Sequence, residues 1–549
     1  MRENQGFLRR GALGCAIGAA VAALGTMGLS AAAIAADVTP FTVTVPTVTG
    51  PIASTPTNFP FIADGFDVEP AVPKGYVEEE FFFSGTGNLY EYTPTGIQVV
   101  SPCPAIAARG CTNLAYTTRM LVKRPADPRR FSGTVIIEAL NPSANFDIAG
   151  VWDRSVDYFV RNGDIFVGWS SKSIIVDRTL KGFNPTRYAA LNWPYVPSPD
   201  KNVNDGVYDG ITFDIAAQIG ALFKLNGPTS PIHNYQVRRV FESGFSQDGS
   251  FTFTQADIFH ALERLPGGHG IYDGYVPMGT NGPSNLDFGL TPAGLLPVGD
   301  PRHQMQPREV PVIQVDTETE IFLGTLNFAG GLAFRRPDSD ARNDRYRLWE
   351  VPGGSHVSND ANLPVITLQR NFAELNHITV AGLPPTGCTH QQFINGPTVG
   401  NPGVVDPNTF PFSFNQNAAF ADLVEWVEFD RPPPRADRIT IDFTTTPPSI
   451  VRDQFGNAKG GLRTPFLDVP TATYVPFDTA SHVTLLSGFC VLDGYNIPFS
   501  DAQLDQLYRN HGDFIRRFAT DAIELAEQRF WTFQDADTAI NNAIHAHVP

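Results

Sequence analysis

Between residues 134 and 351, short apolar runs alternate with segments of helical spacing. TVIIEAL (134–140), DIFVGWS (164–170) and the runs at 238–242, 272–278, 311–316 and 346–351 read as strands. Their lack of polar alternation marks strands buried on both faces. Helix-length segments fall between them at 153–161, 209–224 and about 247–263. Such alternation predicts an α/β fold, a mostly parallel sheet with helices on both faces. Upstream, 77–92 (VEEEFFFSGTGNLYEY) and 116–123 read as the opening strands, and the Thr-, Pro- and Val-rich stretch from 37 to about 75 as an extended segment lying across the body. After 356 the pattern changes. Helix candidates at 418–429 and 501–528 bracket a Pro-, Thr- and Gly-rich stretch, expected to form an extension that packs on the core as a cap or a lid. The domain plan is an N-terminal segment 1–36, an extended segment 37–75, a core 76–356 and an extension 357–549.

Composition narrows the class. With 549 residues, 42% hydrophobic and 17% charged, the chain is neither a disordered polymer nor a long coiled coil. Forty-one Phe against five Met, with 49 Gly and 46 Pro, describe a loop-rich protein ordered by aromatic anchors, as suits a rigid extracellular enzyme. The first 36 residues read as an export signal: Arg2, Arg9 and Arg10, an apolar small-residue run from Gly11 to Ile34, and a small-x-small cleavage pattern at Ala33-Ile34-Ala35. The alternative is a retained anchor, but no stop-transfer cluster follows, and no stable membrane anchor is expected. The Arg9-Arg10 pair permits the twin-arginine route as well as the general one. A periplasmic or extracellular location is expected.

Removing that segment takes away three Arg and one Glu and leaves 36 basic and 55 acidic residues, a formal charge of −19. Such a chain repels phosphate backbones, so nucleic acid is not expected as a partner. Four Cys remain, at 103, 111, 388 and 490. In an oxidising compartment they are expected to form two disulfides, Cys103 with Cys111 across a short loop and Cys388 with Cys490, four free thiols being the alternative. No CxxC, HExxH or spaced Cys/His set points to a metal.

The chemistry concentrates at Arg239-Val240-Phe241-Glu242-Ser243-Gly244-Phe245-Ser246-Gln247-Asp248-Gly249. A strand runs into a Gly-x-Ser-x-x-Gly turn and then a helix, the context in which a serine sits on a tight turn with its Oγ exposed. Gln247, at the helix N-terminus, is expected to offer its backbone N–H to an oxyanion. A serine hydroxyl needs a base, and of eleven His, His356 follows a strand and a Pro-Gly-Gly turn that is expected to be flexible. His260 is expected to be a packing residue, and His545 and His547 to lie in a frayed tail. A carboxylate between Ser and His in chain order is needed to orient the imidazole. Strand 311–315 runs into Asp316-Thr317-Glu318-Thr319-Glu320, from which Glu320 is the first choice, Glu318 the second and Asp316 the third. The loop after TVIIEAL is expected to give the second oxyanion donor, the backbone of Asn141 or Ser143, because Pro142 has no N–H.

With these residues in place the chain resembles the α/β-hydrolase superfamily, and more narrowly the large exported bacterial "alpha/beta hydrolase domain" proteins, which are esterase-like. The likeness spans most of the chain: GYVEEEFFFSGTGNLYEY, TTRMLVKRPADPRRFSGTVIIEALN, GFSQDG, PVIQVDTETE, WEVPGGSH and RDQFGNAKGGLRTPFLDVPTATY. It implies an eight-stranded, mostly parallel sheet with one early antiparallel strand, and a triad of Ser246, His356 and a carboxylate. Two positions depart from the pattern: Asp248 stands where a small residue is usual, and Glu320 where Asp is more frequent. The expected activity is hydrolysis of a small-molecule carboxylic ester without metal or organic cofactor. The alternatives are an amidase or peptidase with the same triad, or a silent binding protein in which the Asp248 anion opposes the oxyanion.

Overall fold

Every residue of TVIIEAL, IFVGWS and VIQVDT is buried, so each of these strands must be covered on both faces. The computed structural model describes residues 38–55, 57–61, 72–101, 103–104, 110–143, 145–198, 206–289, 295–358, 406–477, 492 and 494–548, all within one unit spanning 35–549. The main sheet contains β1 (Thr47–Thr49), β2 (Tyr76–Gly87), β3 (Leu114–Pro125), β4 (Thr134–Leu140), β5 (Ile165–Ser170), β6 (Arg239–Phe245), β7 (Gly274–Met278), β8 (Val312–Thr317), β9 (Ser339–Ala341) and β10 (Asp344–Val351). Their order is β9-β10-β8-β7-β6-β4-β5-β3-β2-β1.

The pairs from β5 through β4, β6, β7 and β8 to β10 are parallel, and β3 runs antiparallel to both β2 and β5. Among the described residues the sheet thus has ten strands rather than eight. The two additions are three-residue edge strands: β1, from the N-terminal segment, pairs antiparallel with β2, and β9 folds back on β10. Neither carries enough apolar periodicity to be read as a strand, and each exists because a neighbouring edge offers unpaired backbone groups.

Alternation along the strands sends side chains into two cores. Val135 and Ile137 join one core with Phe213 of α2 (Thr212–Leu225; α1 is Gly150–Asn162) and Phe251 of α3 (Gln247–Asp257). Ile136 joins the other, with Trp152 and Phe159 of α1. Past α4 (Glu318–Thr325), the extension adds α5 (Phe412–Phe429), α6 (His511–Glu527) and α7 (Phe533–Ile544) to this second core through Phe420, Trp426, Phe518 and Ala539. The helix expected over 501–528 is two, Asp501–Leu507 and α6, because Asn510 breaks the run and accepts the Asp513 N–H at 3.0 Å as a new N-cap. Residues 545–548 do not fray: His511 Nδ1 lies 3.1 Å from Val548 O. Cys103 and Cys111 form a disulfide. Cys388, Cys490, the 1–36 segment and the stretches 359–405 and 478–491, on which the lid expectation partly falls, lie outside the described residues.

Candidate active site

The register Glu138↔Ser243 between β4 and β6, Phe245↔Met278 between β6 and β7, and Thr317↔Val351 between β8 and β10 brings the carboxyl ends of these strands to one edge. In open α/β sheets that edge is where ligands bind. Ser246 leaves β6 with φ 69° and ψ −122°, a conformation that costs a non-glycine residue about 1–3 kcal/mol and persists only where its surroundings enforce it. Here the Ser246 N–H donates to Met278 O at 3.0 Å, and Asp248 Oδ2 accepts the Phe245 N–H at 3.0 Å. The two glycines permit the close passage: a Cβ on Gly244 would lie 2.3 Å from Asp248 O, and one on Gly249 2.0 Å from Met278 O.

Ser246 Oγ lies 2.7 Å from His356 Nε2, and His356 Nδ1 lies 2.5 Å from Glu320 Oε1. Glu320 is the N3 residue of α4 and closes a capping box with Thr317, whose N–H and hydroxyl donate to Glu320 Oε2 at 2.8 and 2.6 Å. One carboxylate oxygen is thereby pinned to the helix start while the other faces the imidazole. The remaining acids are engaged elsewhere. Glu318 Oε2 accepts the Gly353 N–H at 2.7 Å and its other oxygen pairs with Arg452. Asp316 accepts Thr280 N–H at 2.9 Å and Gln314 Nε2 at 2.7 Å, and burial raises its pKa well above the carboxylate range.

The turn before His356 is not a flexible one. Gly353 has φ +82°, and a Cβ there would lie 2.7 Å from Leu467 Cδ1. The His356 N–H donates to Thr319 Oγ1 at 2.9 Å, so successive residues of α4's first turn hold the loop backbone and the imidazole. His260 is buried, with Nδ1 3.0 Å from Tyr275 OH and Nε2 3.1 Å from Glu309 Oε1, away from Ser246.

On the oxyanion side, Gln247 is the first residue of α3, and its backbone N–H has no acceptor among the described residues. Its side chain bridges two loops, accepting from Ser143 Oγ at 3.2 Å and donating to Phe288 O at 3.2 Å. Asn141 does not offer the donor expected of it. Its backbone N–H is bonded to Ile148 O at 2.9 Å, and the Ser143 N–H goes to Asn141 Oδ1 at 2.9 Å. Asn141 instead supports the serine turn, donating from Nδ2 to Phe245 O at 2.8 Å. Residues with no sequence signal also meet here: Arg154 of α1 stacks 3.9 Å over the Phe245 ring and reaches His356 O at 3.4 Å.

A family model for an alpha/beta hydrolase domain matches residues 48–541. No curated protein matches the chain. Similar solved structures include a dienelactone hydrolase from Anabaena variabilis, at 10% identity over 43% of this chain and 80% of that one, with a TM-score of 0.23. They also include an a/b serine hydrolase without lid from Xanthomonas campestris (11%, 49% and 88%, TM-score 0.23). A third is a butyrate-bound thermophilic esterase from the Planctomycetes species Thermogutta terrifontis (12%, 42% and 77%, TM-score 0.26). The family match runs through the sheet and through the segments that carry Ser246, Glu320 and His356, and on it the chain belongs to the alpha/beta hydrolase domain family.

Proposed function

We propose that the protein is an exported serine hydrolase that cleaves carboxylic esters through an acyl-enzyme. The observation that carries this reading is the hydrogen-bonded line from Glu320 through His356 to Ser246, at 2.5 and 2.7 Å. His356 Nε2 takes the hydroxyl proton as Ser246 Oγ attacks the ester carbonyl, and Glu320 stabilises the imidazolium through Nδ1–H. The Gln247 N–H, aided by the positive end of α3, donates to the oxygen that becomes negative. Collapse of the tetrahedral adduct breaks the C–O bond, and the imidazolium returns its proton to the leaving alcohol. Water, deprotonated by His356, then attacks the acyl-enzyme and releases the acid, restoring Ser246.

Export rests on the N-terminal segment and is supported by the Cys103–Cys111 bridge, which belongs to an oxidising compartment. No helix among the described residues is long and apolar enough to cross a membrane. Ser246→Ala is expected to lower turnover of a p-nitrophenyl ester by about 10⁴-fold or more with an unchanged circular dichroism spectrum. An undiminished rate in that variant would refute the reading, and faster cleavage of an anilide than of its matched ester would make the enzyme an amidase.

A further inference from the structure

Asp248, two residues past Ser246, takes no part in the steps above, yet it lies fully buried beneath them. Its Oδ2 accepts the Phe245 N–H at 3.0 Å. On β4, Glu138 is equally buried, and its Oε1 accepts the Val151 N–H at 3.0 Å in the first turn of α1. The two carboxyls interact with each other. Their remaining oxygens, Asp248 Oδ1 and Glu138 Oε2, are buried without a hydrogen-bond partner among the described residues. Two adjoining carboxylates sealed from water repel each other and leave both oxygens unsatisfied. One proton between those oxygens removes both problems.

The surrounding groups suit that count. The charged neighbour is Arg154 from α1, which balances a pair carrying one negative charge; the polar neighbours are Asn141, the Phe245 N–H from β6 and the N-terminal amides of α1. Arg154 also bonds Gly150 O at 3.2 Å and His356 O at 3.4 Å. With one proton shared, the cluster that lies under both the serine turn and the histidine loop is neutral.

We propose that Glu138 and Asp248 share one proton and in that state form the positioning pair that ties the serine turn to the start of α1, so that the site works only while the proton is held. This rests on Ser246 being the nucleophile. Burial, as the main cause, raises both carboxyls well above the carboxylate range. An acid that holds its proton more tightly when folded contributes stability that is complete below its unfolded pKa and is lost as pH rises towards the folded one. Stability should therefore fall as pH rises from the ordinary carboxylate range towards the raised folded pKa, and turnover should fall where the folded pair itself ionises.

Asp248→Ala and Asp248→Asn test this through kcat and KM on a p-nitrophenyl ester and through Tm, each followed from about pH 5 to about pH 10. The alanine variant should lose about 10- to 100-fold in kcat with KM changed by less than about threefold, the signature of a displaced nucleophile. Asparagine accepts from Phe245 with its oxygen, donates to Glu138 with its N–H and cannot ionise. It should recover most of the loss, move the alkaline limb of kcat up by about one pH unit or more, and flatten the fall of Tm with pH. An asparagine variant as slow as the alanine one with both folded, or one whose alkaline limb and Tm slope match the wild type, would overturn the proposal. The Tm comparison needs no turnover, so failure of the shared proton is distinguishable from failure of the serine-hydrolase reading, which would show as turnover surviving Ser246→Ala.

Discussion

Glu320 answers to two partners that lie in different directions, Thr317 behind it and His356 ahead. A glutamate at N3 spans both, one oxygen closing the capping box and the other orienting the imidazole; an aspartate is one methylene too short to do so from the same backbone. Glu320→Ala should therefore lower kcat by about 10³–10⁴-fold, whereas Glu320→Asp, keeping the charge but misplacing it, should lose about 10²-fold. Equal activity in the alanine variant and the wild type, measured on the same ester, would remove Glu320 from the reaction. That Ser246 and His356 meet was legible in the sequence because a strand, a Gly-flanked turn and a helix mark the first, and a strand with a Pro-Gly-Gly turn marks the second. The capping box at 317–320 is a signature as well, and it singles out Glu320 over Glu318. Asn141 was misread because the fate of its N–H depends on a bridge to Ile148 that nothing local specifies. Asp248, read as an anion beside the serine, lies fully buried, and that burial, which pushes its carboxyl well above the carboxylate range, comes from elements distant in the chain that no local pattern reveals.

At the scale of elements, the first turn of α4 and the loop from 352 to 356 act together, and the extension grips both. Arg452 pairs with Glu318, whose other oxygen holds Gly353 N–H; Asn408 Nδ2 donates to Gly353 O at 2.9 Å; Thr319 Oγ1 donates to Pro476 O at 2.7 Å. Removing the guanidinium leaves a buried carboxylate with a single amide donor. Arg452→Ala should lower stability by about 1–3 kcal/mol in urea melts and reduce kcat by about tenfold or more, with Arg452→Lys restoring part of each. A variant with wild-type kcat and reduced stability would limit Arg452 to holding the fold. The helices of this region were only partly legible. In α7 the buried side chains are Asp535 and the small Ala536, Ala539 and Ala543, which carry little hydrophobic signal residue by residue, while Thr532, which caps the Asp535 N–H at 3.1 Å, marks its start.

Over the whole molecule, parallel strands deliver three loops to one sheet edge, and distances of 2.5 and 2.7 Å among Glu320, His356 and Ser246 follow from that register. The long central strands were legible from their unbroken apolar runs, whereas the edge strands depend on pairing alone. A formal charge of −17 disfavours polyanionic substrates at long range and leaves neutral esters unopposed. The central claim is that Ser246 is an activated nucleophile, and its most direct test is reaction of the folded protein with a fluorophosphonate followed by peptide mass mapping. The account predicts one covalent adduct, on Ser246, absent after prior denaturation and absent in Ser246→Ala. A folded protein that stays unlabelled, or that carries the adduct on another residue, would contradict it.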